Sequence, residues 1–256
     1  MKVALIAALV ACGLAVTRGS PVLAETTGSP SVVELFTSQS CYSCPPAEAY
    51  LGKLAARSDL IALEFHVDYW NDLVDGTAGR WTDVHSNPAY TARQRAYAER
   101  LPGGVYTPQM VIDGRAQAIG SREKDVEAAI GAARKFPRLA IHLATSSAGK
   151  TELRLSGGKG VSEGSAGLWL VRFKLREETK VRAGENRGKT LINHHIVTGM
   201  TALGPAPLDG ETIVLDAFAR GLDEGCAILV QAGDERNAEG PILGAALCPA
   251  RPGKAS

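Results

Sequence analysis

The pattern of apolar and polar positions divides the chain into two textures, with the change near Pro137. Before it, short apolar runs alternate with stretches of helical period. Val32 to Phe36 is a run of β-formers. Leu60 to Val67 is nearly continuous in apolar residues, the pattern of a parallel strand buried on both faces. Between them Ala47, Tyr50, Leu51, Leu54 and Ala55 share one helical face, and Pro45-Pro46 suit the first turn of that helix. Segment 68–87 is polar and irregular. Asn87-Pro88 then opens a helix over about 88–101, stopped by Pro102-Gly103-Gly104. Gln109 to Asp113 and Ala116 to Ile119 form a hairpin about Asp113-Gly114. A last helix covers about 122–135.

After Pro137, short runs are separated by Gly-rich turns: 139–145, 151–155, 168–175, 190–201, 211–215, 227–231 and 242–247. Long helical period is absent, and this spacing predicts an antiparallel β-sandwich. The expected architecture is an α/β domain over 32–137, with an insertion at about 68–101, followed by an all-β, sandwich-like domain over 138–250 and a tail at 251–256. Gly157-Gly158-Lys159-Gly160 lacks phosphate-loop spacing and reads as a hairpin turn.

The N-terminus reads as an address. Lys2 precedes an uncharged apolar run, 3–16, too short to span a membrane. Val22-Leu23-Ala24 offers small residues before a cleavage point, so 1–24 is expected to be a signal peptide and 25–31 a polar linker. Leu9-Val10-Ala11-Cys12 also resembles a lipoprotein box, which would make Cys12 a lipid anchor. An uncleaved anchor is a third reading, and all three export the chain to the periplasm or beyond. A formal net charge of +1 and 5% aromatic residues give no field or stacking platform for nucleic acid.

Export gives the cysteines a context. Beyond Cys12 there are four: Cys41, Cys44, Cys226 and Cys248. An even number in an exported chain suggests two disulfides, and of three possible pairings spacing favours Cys41–Cys44 and Cys226–Cys248. The second reads as a structural staple between adjacent strands.

Cys41-Tyr42-Ser43-Cys44 carries the chemistry. Its thiols lie at the start of a helix, whose free N–H groups and partial positive charge stabilise a thiolate. Cys41 is then the exposed nucleophile and Cys44 the resolving thiol. Tyr42 and Ser43 would border a bound client. Thr107-Pro108, just before a strand, is expected to be cis and to face Cys41, and Thr107 and Pro108 would also contact substrate. Zinc does not fit, because no further ligands fall at suitable spacing, and no metal or cofactor is expected. His194-His195 in a strand would point to opposite faces. Arg93, Arg95 and Arg100 read as a solvated helix face.

The order strand, CxxC helix, strand, insertion, Thr-Pro, hairpin, helix is that of the thioredoxin fold. VELFTSQSCYSCPPAE, FHVDYWN, PAYTARQRAYAERL, VYTPQMVIDG and ENRGKTLINHHIV resemble strings of DUF1223, a family of exported bacterial proteins, over about 32–247. The resemblance implies a thioredoxin-like domain followed by a β-rich one, and no established activity. The expected function is thiol–disulfide exchange on protein thiols or disulfides, with a separate redox partner. The alternative is a binding or assembly module whose CxxC disulfide is structural. Copper handling by the thiols is a third reading, weakened by only three methionines.

Overall fold

The computed structural model describes residues 29–73, 79–146, 149–158, 161, 164–208, 210–216, 218, 221–233 and 240–249. The expected leader with Cys12, part of the insertion, part of the Gly157–Gly160 turn and the 251–256 tail lie outside them.

Strand β1 (Ser31–Thr37) leads into helix α1 (Pro45–Ala55) and strand β2 (Leu60–His66). A short helix α2 (Trp70–Leu73) and helix α3 (Pro88–Ala98) follow. Asn87 caps α3 by accepting from the Ala89 N–H, with proline in the first turn, as the sequence suggests. Strands β3 (Gln109–Ile112) and β4 (Ala116–Ile119) form the expected hairpin, and α4 (Glu123–Ala133) closes this half. The rest is strand: β5 (Leu139–Thr145), β6 (Thr151–Gly157), β7 (Ala166–Lys180), β8 (Thr190–Pro205), β9 (Thr212–Leu215), β10 (Glu224–Ala232) and β11 (Ile242–Leu247).

The strands do not sort into an α/β thioredoxin-like domain and a separate β-sandwich. One mixed sheet of eight strands runs β11-β10-β7-β8-β2-β1-β3-β4, taking members from both sides of Pro137. The described residues are mostly β with four short helices, and this corrects the expected fold class. The cause is the second edge of β2. β1 pairs with one edge in parallel, Ser31 opposite Leu60 through Thr37 opposite His66. The other edge takes β8, also in parallel, at Glu64 opposite Ile196. Strands β7 and β8 are longer than the apolar runs that announced them, and they carry the sheet on to β10 and β11.

Three cores follow from strand alternation. On one face, Val32, Phe36, Leu63, Phe65, Trp169, Val171 and Phe173 pack beneath α3, with Phe36 stacked on Phe65 at 5.4 Å. On the other face, Val33, Leu35, Ala62, Met110 and Ile112 pack against Ala47, Leu51 and Leu54 of α1 and Val126 and Ile130 of α4. Further along that sheet, Leu168, Leu170, Ile228 and Val230 meet Leu139, Ile141, Leu153 and Leu155 of a small second sheet, β5-β6-β9. Only this last layer resembles the expected sandwich.

Arg93 departs from the expected solvated face. It is buried, and its guanidinium donates to Glu34 at 2.8 Å, to Tyr97 and to Gln231, tying α3 to β1 and β10. Arg95 and Arg100 are exposed as expected.

Candidate functional site

β1 delivers the chain to a turn at its C-terminal end, and the Cys41 N–H donates to the Ser38 carbonyl. Cys41 and Cys44 form a disulfide with Cα atoms 5.4 Å apart. Cys44 is the N-cap of α1, and Pro45 and Pro46 occupy the first helical positions, where no N–H is needed. Gln109 pairs with Phe36 of β1, so the preceding Thr107–Pro108, which is cis, lies level with the start of the thiol loop. The Trp70 indole N–H donates to Thr107 Oγ1 at 2.6 Å, placing the aromatic beside this proline.

Exposure at the motif differs from the sequence expectation. Tyr42 is 66% exposed and Ser43 is exposed, yet Cys41 and Cys44 are both fully buried. Cys41 is therefore no more open to solvent than Cys44. The hairpin between β7 and β8 ties down the backbone of this loop. Asn186, fully buried, donates from its side-chain amide to the carbonyls of Gln39 and Cys41, each at 2.9 Å. The Tyr42 N–H donates to the Glu185 carboxylate at 2.9 Å. Lys189 donates to Asn186 Oδ1 at 2.9 Å and lies 4.3 Å from the Tyr42 ring centre.

Beneath the loop lies a buried polar cluster that sequence reading passed over. Asp83 accepts from the Gln39 N–H at 2.7 Å and from His66 Nδ1 at 2.7 Å. His66 Nε2 lies 3.3 Å from Glu64, an ion-pair distance without hydrogen-bond alignment. Glu64 in turn accepts from the Asn193 side chain at 2.6 Å and the His194 N–H at 2.9 Å, which fastens β8 to β2. Glu48, four residues after Cys44, accepts from the Thr37 hydroxyl at 2.8 Å.

Electrostatics sorts these groups. Burial alone lowers His66, but the Asp83 carboxylate, with Glu64 behind it, holds it well above the usual histidine range, so it is charged at neutral pH. Burial raises Asp83, and the His66 cation with the Gln39 and His85 N–H groups overrides this and keeps its carboxyl low. Burial and then the Glu64 charge push Glu48 up to about 8, so it is protonated at neutral pH. His85, lowered by burial and the His66 charge, is neutral. Among the described residues no cluster of three His, Cys, Asp or Glu side chains is arranged to hold a metal ion.

Cys226 and Cys248 form the second disulfide, joining the start of β10 to the end of β11, and the Cys248 N–H donates to the Cys226 carbonyl at 2.8 Å. The histidine pair separates: His194 packs on α1 at Gly52, while His195 Nδ1 lies 2.9 Å from the Ala62 carbonyl. A signal for the missed groups existed. Glu64 and His66 interrupt an otherwise apolar strand on one face, and Glu48 falls on the apolar side of α1.

Fold and site together define a mixed-sheet protein with a buried CxxC disulfide at a helix N-terminus, roofed by a distant hairpin. The chain belongs to the family DUF1223, proteins of unknown function, whose profile matches residues 32–231. It is similar to a protein of Agrobacterium tumefaciens known from its crystal structure, at 27% identity and TM-score 0.67, covering 85% of this chain and 93% of that one. HBP35 of Porphyromonas gingivalis shares the fold at TM-score 0.55 and 13% identity, covering 86% of this chain and 74% of that one. No curated protein matches the chain.

Proposed function

We propose that this protein is an exported thiol–disulfide oxidoreductase acting on protein thiols through Cys41 and Cys44. The observation that carries the reading is a CxxC disulfide at a helix N-terminus, level with Thr107–Pro108 and lying over a buried polar cluster that includes Glu48, Glu64, His66 and Asp83. Two disulfides fit an oxidising compartment, and no described helix is long and apolar enough to cross a membrane.

In the forward exchange a client thiolate attacks Cys41 Sγ. The Cys41–Cys44 bond breaks, its electron pair passes to Cys44 Sγ, and that sulfur takes a proton. A second client thiolate then attacks the client sulfur of the mixed disulfide. The client leaves oxidised by two electrons, Cys41 leaves as a thiolate, and both enzyme sulfurs are reduced. A separate redox partner reoxidises the pair. The helix N-terminus favours negative charge on the departing sulfurs.

The burial of both sulfurs favours a second reading, a binding or assembly module with a permanent CxxC disulfide. The reduction potential of Cys41–Cys44 decides between them. A value in the range of about −120 to −270 mV supports exchange, and one below about −300 mV supports the structural bond. A Cys44→Ser variant should also hold clients as mixed disulfides on Cys41, and their absence from an exported-protein extract counts against exchange.

A further inference from the structure

We propose that Glu185 and Asn186, at the tip of the β7–β8 hairpin, determine which thiols reach Cys41, admitting an extended protein chain and excluding small anionic thiols. This rests on the exchange reading and names the substrate class of that site.

The motif sits at the surface, since Tyr42 is 66% exposed, while both flanking sulfurs are sealed. The ties that reach this loop from the β7–β8 hairpin are polar. The Asn186 side chain is a primary amide, chemically a peptide group, and it donates to two backbone carbonyls, Gln39 and Cys41. The Glu185 carboxylate accepts the next free backbone donor, Tyr42 N–H. Together they occupy the main-chain groups through which an extended peptide would bind beside the thiols. Glu185 and Lys189 are exposed, so the ties they make are screened and readily exchanged.

Displacing Asn186 strands two carbonyls unless the newcomer supplies donors. A peptide backbone brings its own N–H groups. A small thiol without amide groups, such as mercaptoacetate, brings no N–H donor and leaves buried acceptors unbonded, the situation that gives hydrogen-bonded sites their discrimination. Glu185 adds a second filter, because its negative charge one residue from Cys41 repels thiolates that carry a further carboxylate.

The test measures reduction of Cys41–Cys44 in the full chain by mercaptoacetate, which carries a carboxylate and no amide N–H, and by a short reduced dithiol peptide, followed by mass after alkylation. Variants are Asn186→Ala and the exposed-site Glu185→Ala, so that a folding defect in the first leaves the second informative. Each variant should raise the mercaptoacetate rate about tenfold and leave the peptide rate within about threefold, the worth of one or two lost hydrogen bonds. A peptide-to-mercaptoacetate ratio that stays constant, whether both rates move together or neither moves, overturns the proposal and leaves the hairpin a packing element. The reduction potential, measured separately on the parent chain, tests the exchange reading, so the two failures are distinguishable.

Discussion

The side-chain amide of Asn186 donates to the Cys41 carbonyl at 2.9 Å although 145 residues separate them. The thiol loop is thus completed by a segment from the far half of the chain. β8 lies beside β2 in the sheet, and the hairpin that precedes it reaches the thiol loop through its own side chains.

Glu48 makes stability fall with pH. Its value is 4.5 ordinarily and about 8 in the fold, so the folded state holds the proton more tightly. Its contribution is full below about 4.5 and is lost as pH rises to about 8, at up to about 1.4 kcal/mol per pH unit. Glu48→Gln should remain protonated-like throughout. Urea unfolding at several pH values should show the variant gaining on the parent chain as pH rises across that window. A constant difference would deny the shift.

Asp83→Asn should destabilise by about 3–5 kcal/mol, because it leaves the buried His66 cation short of its main partner. The pH signs are opposite for the two groups. The Asp83 contribution is present above its ordinary value and lost in acid as pH falls through its lowered folded value. That of His66 is present below about 6.5 and lost as pH rises through its raised folded value. The variant should therefore flatten both limbs of a stability–pH curve measured by thermal melting.

Gly52 admits His194 onto α1. A Cβ there would lie 2.8 Å from the imidazole Cδ2. Gly52→Ala should cost about 1–3 kcal/mol by overpacking, and His194→Ala should recover most of that cost in a double-mutant cycle. Additive losses in denaturant titrations would show that the ring moves aside freely.

Replacing Cys226 and Cys248 together by serine should lower stability by about 3 kcal/mol, the chain-entropy worth of a loop this size, without changing the chemistry at Cys41. Calorimetry and alkylation of the CxxC pair in the same variant test both halves of that statement.

Much of this was legible in the sequence because it is local. The proline pair after Cys44, the helical period to Ala55, the apolar run of β2 and the Asp113-Gly114 turn each state their structure within a few residues. The joint between β2 and β8 does not. It depends on Glu64 meeting Asn193 and the His194 N–H, partners with no periodic signature. Asn186 looked like one polar residue in a Gly-rich turn, and the buried cluster was masked because Glu48, Glu64 and His66 sit among apolar neighbours. Arg93 misled for a related reason: its partner Glu34 lies in a different element, so helix-face reading alone sent it to solvent.

The place of β2 inside the sheet sets a problem of timing during synthesis. Its outer edge stays open until β8 emerges from the ribosome, roughly 120 residues later, and an open apolar edge recruits other chains. A nascent chain of this design gains from being kept unfolded by a holding chaperone until its last third has been made. Threading unfolded through an export pore imposes the same delay. A fragment ending at Pro137 would carry that sticky edge permanently, and inclusion bodies are its expected fate.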